Sequence, residues 1–116
     1  MAVESISLSQ ARSIAIRAQR LDGSALRQRS SQQARIDAVS GVLSDLGAVQ
    51  LDTISVLARS HELIPFARLG ALGRAAVEQA YWGGDSGNEH PSTATSFEYW
   101  SHAACILPVD MWPWFA

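Results

Sequence analysis

At Gly47 the hydrophobic period of the chain switches from that of a helix to that of a strand, and this switch restricts the fold more than any other feature. Upstream, Ile36, Val39, Leu43 and Leu46 recur at intervals of three, four and three, the stripe of a half-buried helix. Gly47 stands where a glycine ends a helix in the left-handed conformation. Downstream, Val49 and Leu51 alternate with Gln50 and Asp52, so a strand over 49–54 would turn two apolar side chains one way and an amide and a carboxylate the other. A helix feeding straight into a short strand implies a mixed domain. The helix itself is predicted to open at a capping box, Ser30 to Gln33. Gly41 inside it costs about 1 kcal/mol relative to Ala, which suggests a close neighbour.

An earlier helix is marked by a capping box at Ser7-Leu8-Ser9-Gln10 and by the stripe Leu8, Ala11, Ile14, Ala15, Ala18 and Leu21, with Asp22-Gly23 as its stop. Residues 23–30 form a polar connection. Residues 55–69 are apolar at irregular spacing, and Pro65 limits any helix through their middle. Residues 71–82 read as a short helix. Residues 83–96 have no apolar period and read as a mobile loop or wing. FEYWSHAACILP (97–108) reads as one strand, with Glu98, Trp100 and His102 on one side and Phe97, Tyr99 and Cys105 on the other. The order describes an α+β chain, mostly helical, with short strands. It fits one winged helix-turn-helix domain over 1–116, with a generic α+β domain as the alternative. The apolar end, VDMWPWFA, suggests a sequence that stops inside a larger protein, or a homodimer formed through that end.

Composition narrows the function classes. At 116 residues the chain suits one domain, and no apolar run approaches the length of a membrane span. MAVESISLSQ lacks the basic head and apolar segment of a signal peptide. A single cysteine, Cys105, fits a reducing cytoplasm. The net charge is −2, yet residues 1–40 carry six arginines against three acids, and all nine basic residues are arginine. Such a segment either lies along phosphates or is a set of solvated helix arginines.

Metal and nucleotide sites find little support. His61, His90 and His102 are scattered, and one cysteine supplies no ligand cluster. GGDSG follows a helix rather than a strand, so it is no phosphate loop, and there is no G-x-S-x-G elbow. The aromatics Phe97, Tyr99, Trp100, Trp112 and Trp114 suit a core or an interface better than base stacking. Gln50 and Asp52 remain. In a strand their α-carbons would lie roughly 6.5–7 Å apart on one face, able to converge on a water or a sugar. Equally, they could be the solvated face of an edge strand.

VQLDTISVLARSHELIPFARLG (49–70), together with FEYWSHAACILP and the opening helix SQARSIAIRAQRL, resembles the N-terminal portion of the YcaQ/AlkZ family of DNA glycosylases, over nearly the whole chain. The resemblance implies a winged-helix unit, the first of several in a longer protein. It implies excision of N7-alkylated guanine from double-stranded DNA, with unhooking of interstrand crosslinks, and neither a metal nor an organic cofactor. It also implies a DNA-repair hydrolase of the cytoplasm, associated with the nucleoid. Gln50 and Asp52 match the Gln-x-Asp form of the family's catalytic motif, Asp52 as cation stabiliser and water activator and Gln50 as water holder. Arg59, His61, Arg68, Tyr99, Trp100 and His102 become candidate DNA contacts. Ala103 stands where many relatives have Glu, which bears on lesion choice. A non-catalytic winged-helix DNA-binding module and an inert truncated product are the competing expectations.

Overall fold

The computed structural model describes residues 5–83 and 95–115. The elements run α1 (Leu8–Ala18), α2 (Gln32–Leu46), β1 (Val49–Gln50), α3 (Ser60–Leu69), α4 (Arg74–Trp82), β2 (Ser96–Trp100), β3 (Ala104–Pro108) and a closing 3-10 helix (Val109–Trp114). The three strands form one antiparallel sheet in the order β1-β3-β2. Helix, strand, two helices and a hairpin closing a three-stranded sheet make a winged-helix-like α+β arrangement, as the periodicity predicts.

The core forms where α2 and α4 meet the sheet: Val39, Val42 and Leu43 pack with Val77, Ala80 and Tyr81, and with Val49 and Ile106 from the strands. Gly47 takes φ 76° and returns its N–H to the Leu43 carbonyl, so the left-handed stop after α2 is built as expected. The cap at the other end is Ser31, whose hydroxyl accepts from the Ala34 N–H, one residue later than the predicted Ser30. The close neighbour of Gly41 is the guanidinium of Arg20, 3.7 Å from where a Cβ would stand.

Three expectations are corrected. The predicted strand over 49–54 stops at Gln50, because the Asp52 carboxylate captures the Ile54 N–H at 2.9 Å and turns the chain out of the sheet. Pro65 does not limit α3; it sits inside it with its ring buried, and that burial offsets the hydrogen bond the ring removes. FEYWSHAACILP is a hairpin rather than one strand, turning at 101–103. The helix marked by the stripe of α1 is present, though no residue of α1 is buried, and Leu8 and Ile14 are 67% and 57% exposed. Most of the predicted loop or wing at 83–96 lies outside the described residues. The hairpin turn, where a wing extends from such a sheet, is the short 101–103.

The terminal aromatics are used within the chain. Phe97 meets Trp112 edge-on at 5.1 Å, and Tyr99 meets Phe115 at 4.9 Å, so the 3-10 helix covers one face of the hairpin. Trp114 stays 84% exposed. No helix among the described residues is long and apolar enough to cross a membrane.

Candidate active site

Gln50 is placed by its strand. Antiparallel pairing sets Val49 against Ile106 and Gln50 against Cys105, and a last bond runs from the Leu51 N–H to the Ala104 carbonyl at 2.8 Å. Val49 is fully buried, so strand alternation sends Gln50 outward. Beyond Leu51 the chain leaves the sheet, and a residue missed in the sequence holds it there. The Ser60 hydroxyl, at the first turn of α3, donates to the Gln50 carbonyl at 2.6 Å and accepts from the Asp52 N–H at 2.8 Å. One side chain thus fixes the backbone of both residues of the Gln-x-Asp pair. With Oδ1 of Asp52 on the Ile54 N–H, its second oxygen has no partner among the described residues.

Gln50 opens on a cleft of about 340 Å³ lined also by Gln19, Leu46, Arg68, His102 and Cys105. Three candidates from the sequence, Gln50, Arg68 and His102, are therefore brought to one place. Asp52 does not line that cleft; its main-chain N–H meets the Ser60 hydroxyl and its Oδ1 accepts from the Ile54 N–H. His102 is exposed in the hairpin turn, and Tyr99 and Trp100 are exposed along β2, Trp100 at 74%. Arg59 is exposed just before α3, and its N–H donates to Glu62 Oε2 at 3.2 Å.

Two candidates turn inward. Arg68 is 9% exposed; its Nε donates to the Gln19 carbonyl at 2.8 Å and its Nη1 to the Ile64 carbonyl at 3.0 Å. Its donors tie α3 to the end of α1 instead of reaching for a phosphate. His61 is 2% exposed, edge-on to Tyr81 at 6.2 Å and to Trp82 at 5.1 Å. Burial lowers its pKa, with Glu62 opposing, so the ring is held neutral and without the charge a phosphate contact would use. Its Nδ1 and the Tyr81 hydroxyl are buried without partners among the described residues. Burial likewise raises the Tyr81 pKa and lowers that of Arg68. Each inward position lies on the α3 face that meets the core, a consequence of packing that residue type conceals.

Among the described residues no group of three His, Cys, Asp or Glu side chains could hold a metal ion. The Ser60 hydroxyl instead ties the main chain of an exposed amide residue at a small cleft to that of a carboxylate residue two positions on. No solved structure matches the chain. A family model described as DNA glycosylase AlkZ-like matches residues 43–116, from the end of α2 through the site to the closing 3-10 helix. The match begins later than the resemblance read from the sequence and leaves α1 and most of α2 outside it. Covering well over half of the chain, it shows that the protein belongs to the AlkZ-like DNA glycosylase family.

Proposed function

We propose that the chain hydrolyses the N-glycosidic bond of N7-alkylguanine in double-stranded DNA, crosslinked guanine included, at the junction of β1 and α3. The observation that carries this reading is the Ser60 hydroxyl bound to both the Gln50 carbonyl and the Asp52 N–H. Such a lock makes sense where two groups must act on one water. Alkylation at N7 gives the purine a positive charge, so it leaves readily and needs little help from an acid. As the C1′–N9 bond breaks, its electron pair neutralises the purine and a cation develops on the sugar. Asp52 opposes that charge with its carboxylate, an electrostatic contribution that grows toward the transition state. Water adds to C1′ and gives its proton to Asp52. Gln50, uncharged at working pH, orients the water through its amide.

Arg59, Tyr99, Trp100 and His102 are the exposed candidates for DNA contact around this junction, with Arg59 suited to a phosphate. His61 and Arg68 serve by holding α3 in place. A non-catalytic reader of base sequence is disfavoured by α4, the second helix of the helix-turn-helix. Arg74 is engaged by Glu62 at 2.7 Å and Glu78 at 3.1 Å, and Gln79 accepts from Gln32 at 3.1 Å.

The test is base release from a duplex carrying one N7-methylguanine, with the parent and Asp52→Asn side by side. The parent should release the base, and the variant should be slower by about a hundredfold or more, with duplex affinity unchanged. Equal rates would remove Asp52 from the mechanism. No release by either would overturn the assignment for this chain.

A further inference from the structure

A second polar cleft, of about 820 Å³, lies between the α1–α2 connection and the α3–α4 turn, walled by Arg27, Arg29 and Arg35 on one side and Leu69, Ala71 and Leu72 on the other. Its basic wall is built rather than loose. Arg29 donates to the Arg27 and Ala25 carbonyls, each at 3.0 Å, and the Arg35 Nε donates to the Arg29 carbonyl at 3.1 Å. Those bonds to main chain gather three guanidiniums at one cleft and leave further N–H donors on Arg27 and Arg35.

Charge balance then singles the cleft out. Among the described residues Arg17, Arg20 and Arg74 pair with carboxylates; of the arginines that do not, Arg27, Arg29 and Arg35 share this cleft, whereas Arg12, Arg59 and Arg68 lie outside it. Asp37 lines an adjoining cleft with Arg27 and Arg29 and accepts from the Gln33 amide at 2.8 Å, but it forms no ion pair with either arginine among the described residues. Three like charges brought together with no carboxylate in ion-pair contact repel one another, and an anion between them relieves that repulsion. Phosphate matches the planar fork of arginine. The location fits a duplex: the cleft flanks the turn of the helix-turn-helix, while α4 has its one arginine engaged by Glu62 and Glu78. Here the free positive charge lies beside the turn and not on the helix that would enter a groove.

We propose that the cleft of Arg27, Arg29 and Arg35 is a phosphate-binding site that grips the DNA backbone beside the α3–α4 turn, separately from the β1–α3 junction. A contact of this kind carries no sequence information and fixes the position of the duplex. It rests on DNA being the substrate of the family and does not depend on Gln50 or Asp52 being catalytic. The three arginines precede residues 43–116, which the family model matches, whereas the opposite wall, Leu69, Ala71 and Leu72, lies within them.

The experiment measures affinity for an undamaged duplex across a series of salt concentrations. The parent is compared with Arg27→Gln, with Arg27→Gln/Arg35→Gln, and with Arg12→Gln, an exposed arginine of α1 outside the cleft. Each lost phosphate contact should reduce the slope of log K against log salt by about 0.9, so the double variant should lose about 1.8 and bind about tenfold more weakly at low salt. Arg12→Gln should match the parent. Arg27 makes no side-chain bond among the described residues, so its single variant keeps the test readable if the double variant is less stable. Unchanged slopes in folded variants, an equal loss in Arg12→Gln, or no salt-dependent duplex binding by the parent would overturn the proposal. Inorganic phosphate at matched ionic strength should displace duplex from the parent more readily than chloride does. Phosphate binding that leaves the duplex slope unaltered would assign the cleft to a free anion and equally overturn it.

Discussion

Helices α1 and α3 are of nearly equal length and opposite fate. α1 has the local marks of a good helix: the Gln10 N–H donates to the Ser7 hydroxyl at 3.2 Å, the Ser7 N–H donates to the Gln10 side chain at 2.8 Å, and an apolar stripe follows. It buries no residue. α3 begins without a side-chain cap on its N-cap residue, contains a proline and turns a histidine and an arginine inward, yet His61, Pro65, Arg68 and Leu69 are all buried. Local signals decide whether a helix forms. Which helix enters the core depends on what surrounds it, and α3 is flanked by α2, α4 and β1. The start of α3 is also where the Gln-x-Asp pair is held.

The difference can be broken or sharpened by substitution. The largest effect is expected from Arg68→Ala, which removes the side-chain donor to the Gln19 carbonyl and the second donor to the Ile64 carbonyl and leaves a void in α3's inner face. A loss of about 2–4 kcal/mol in denaturant unfolding is expected, and a loss under about 0.5 kcal/mol would make the inward arginine incidental. The buried His61 should make stability sensitive to acid. Its pKa is lowered in the folded state, so below the ordinary histidine value near 6.5 the unfolded chain takes up a proton more readily than the folded one. Stability should therefore be full above that value and fall as pH drops through the folded pKa, and His61→Leu should flatten that part of the profile. Tyr81→Phe removes a buried hydroxyl that has no partner among the described residues, so its stability should stay within about 1 kcal/mol of the parent, on the stable side. The smallest effect belongs to α1: Ile14→Ser should change stability by less than about 0.5 kcal/mol, and a larger loss would show that α1 packs more tightly than its exposure indicates.

How much of this was legible follows the range of the interactions. The stop of α2 at Gly47 and the placement of α4 are written in neighbouring residues and were readable. The hairpin was not, because alternation runs on through Ser101, His102 and Ala103, none of which is a glycine, proline or asparagine that would signal a turn. Strand β1 was read too long, since nothing in the alternation shows that the Asp52 carboxylate would bond forward to Ile54. Alternation places Gln50 facing outward from β1, and only the family resemblance marks it as a candidate for chemistry. Ser60 was invisible, because its two bonds reach back eight and ten residues to a strand end that exists only once β1 has paired with β3. The inward turn of His61 and Arg68 has the same origin: it follows from which face of α3 meets the core.

The central claim is that the β1–α3 junction is where the chemistry occurs, with Ser60 holding Gln50 and Asp52 in register. The most direct measurement is the single-turnover rate of N7-methylguanine release, at saturating protein, for the parent, Ser60→Ala and Ser60→Thr, with duplex affinity and unfolding midpoint measured on the same samples. A misplaced pair should slow Ser60→Ala by about ten- to a hundredfold with affinity unchanged, and the hydroxyl of Ser60→Thr should restore much of the rate. An unaltered rate in a folded Ser60→Ala variant, or a loss in affinity alone, would contradict the account.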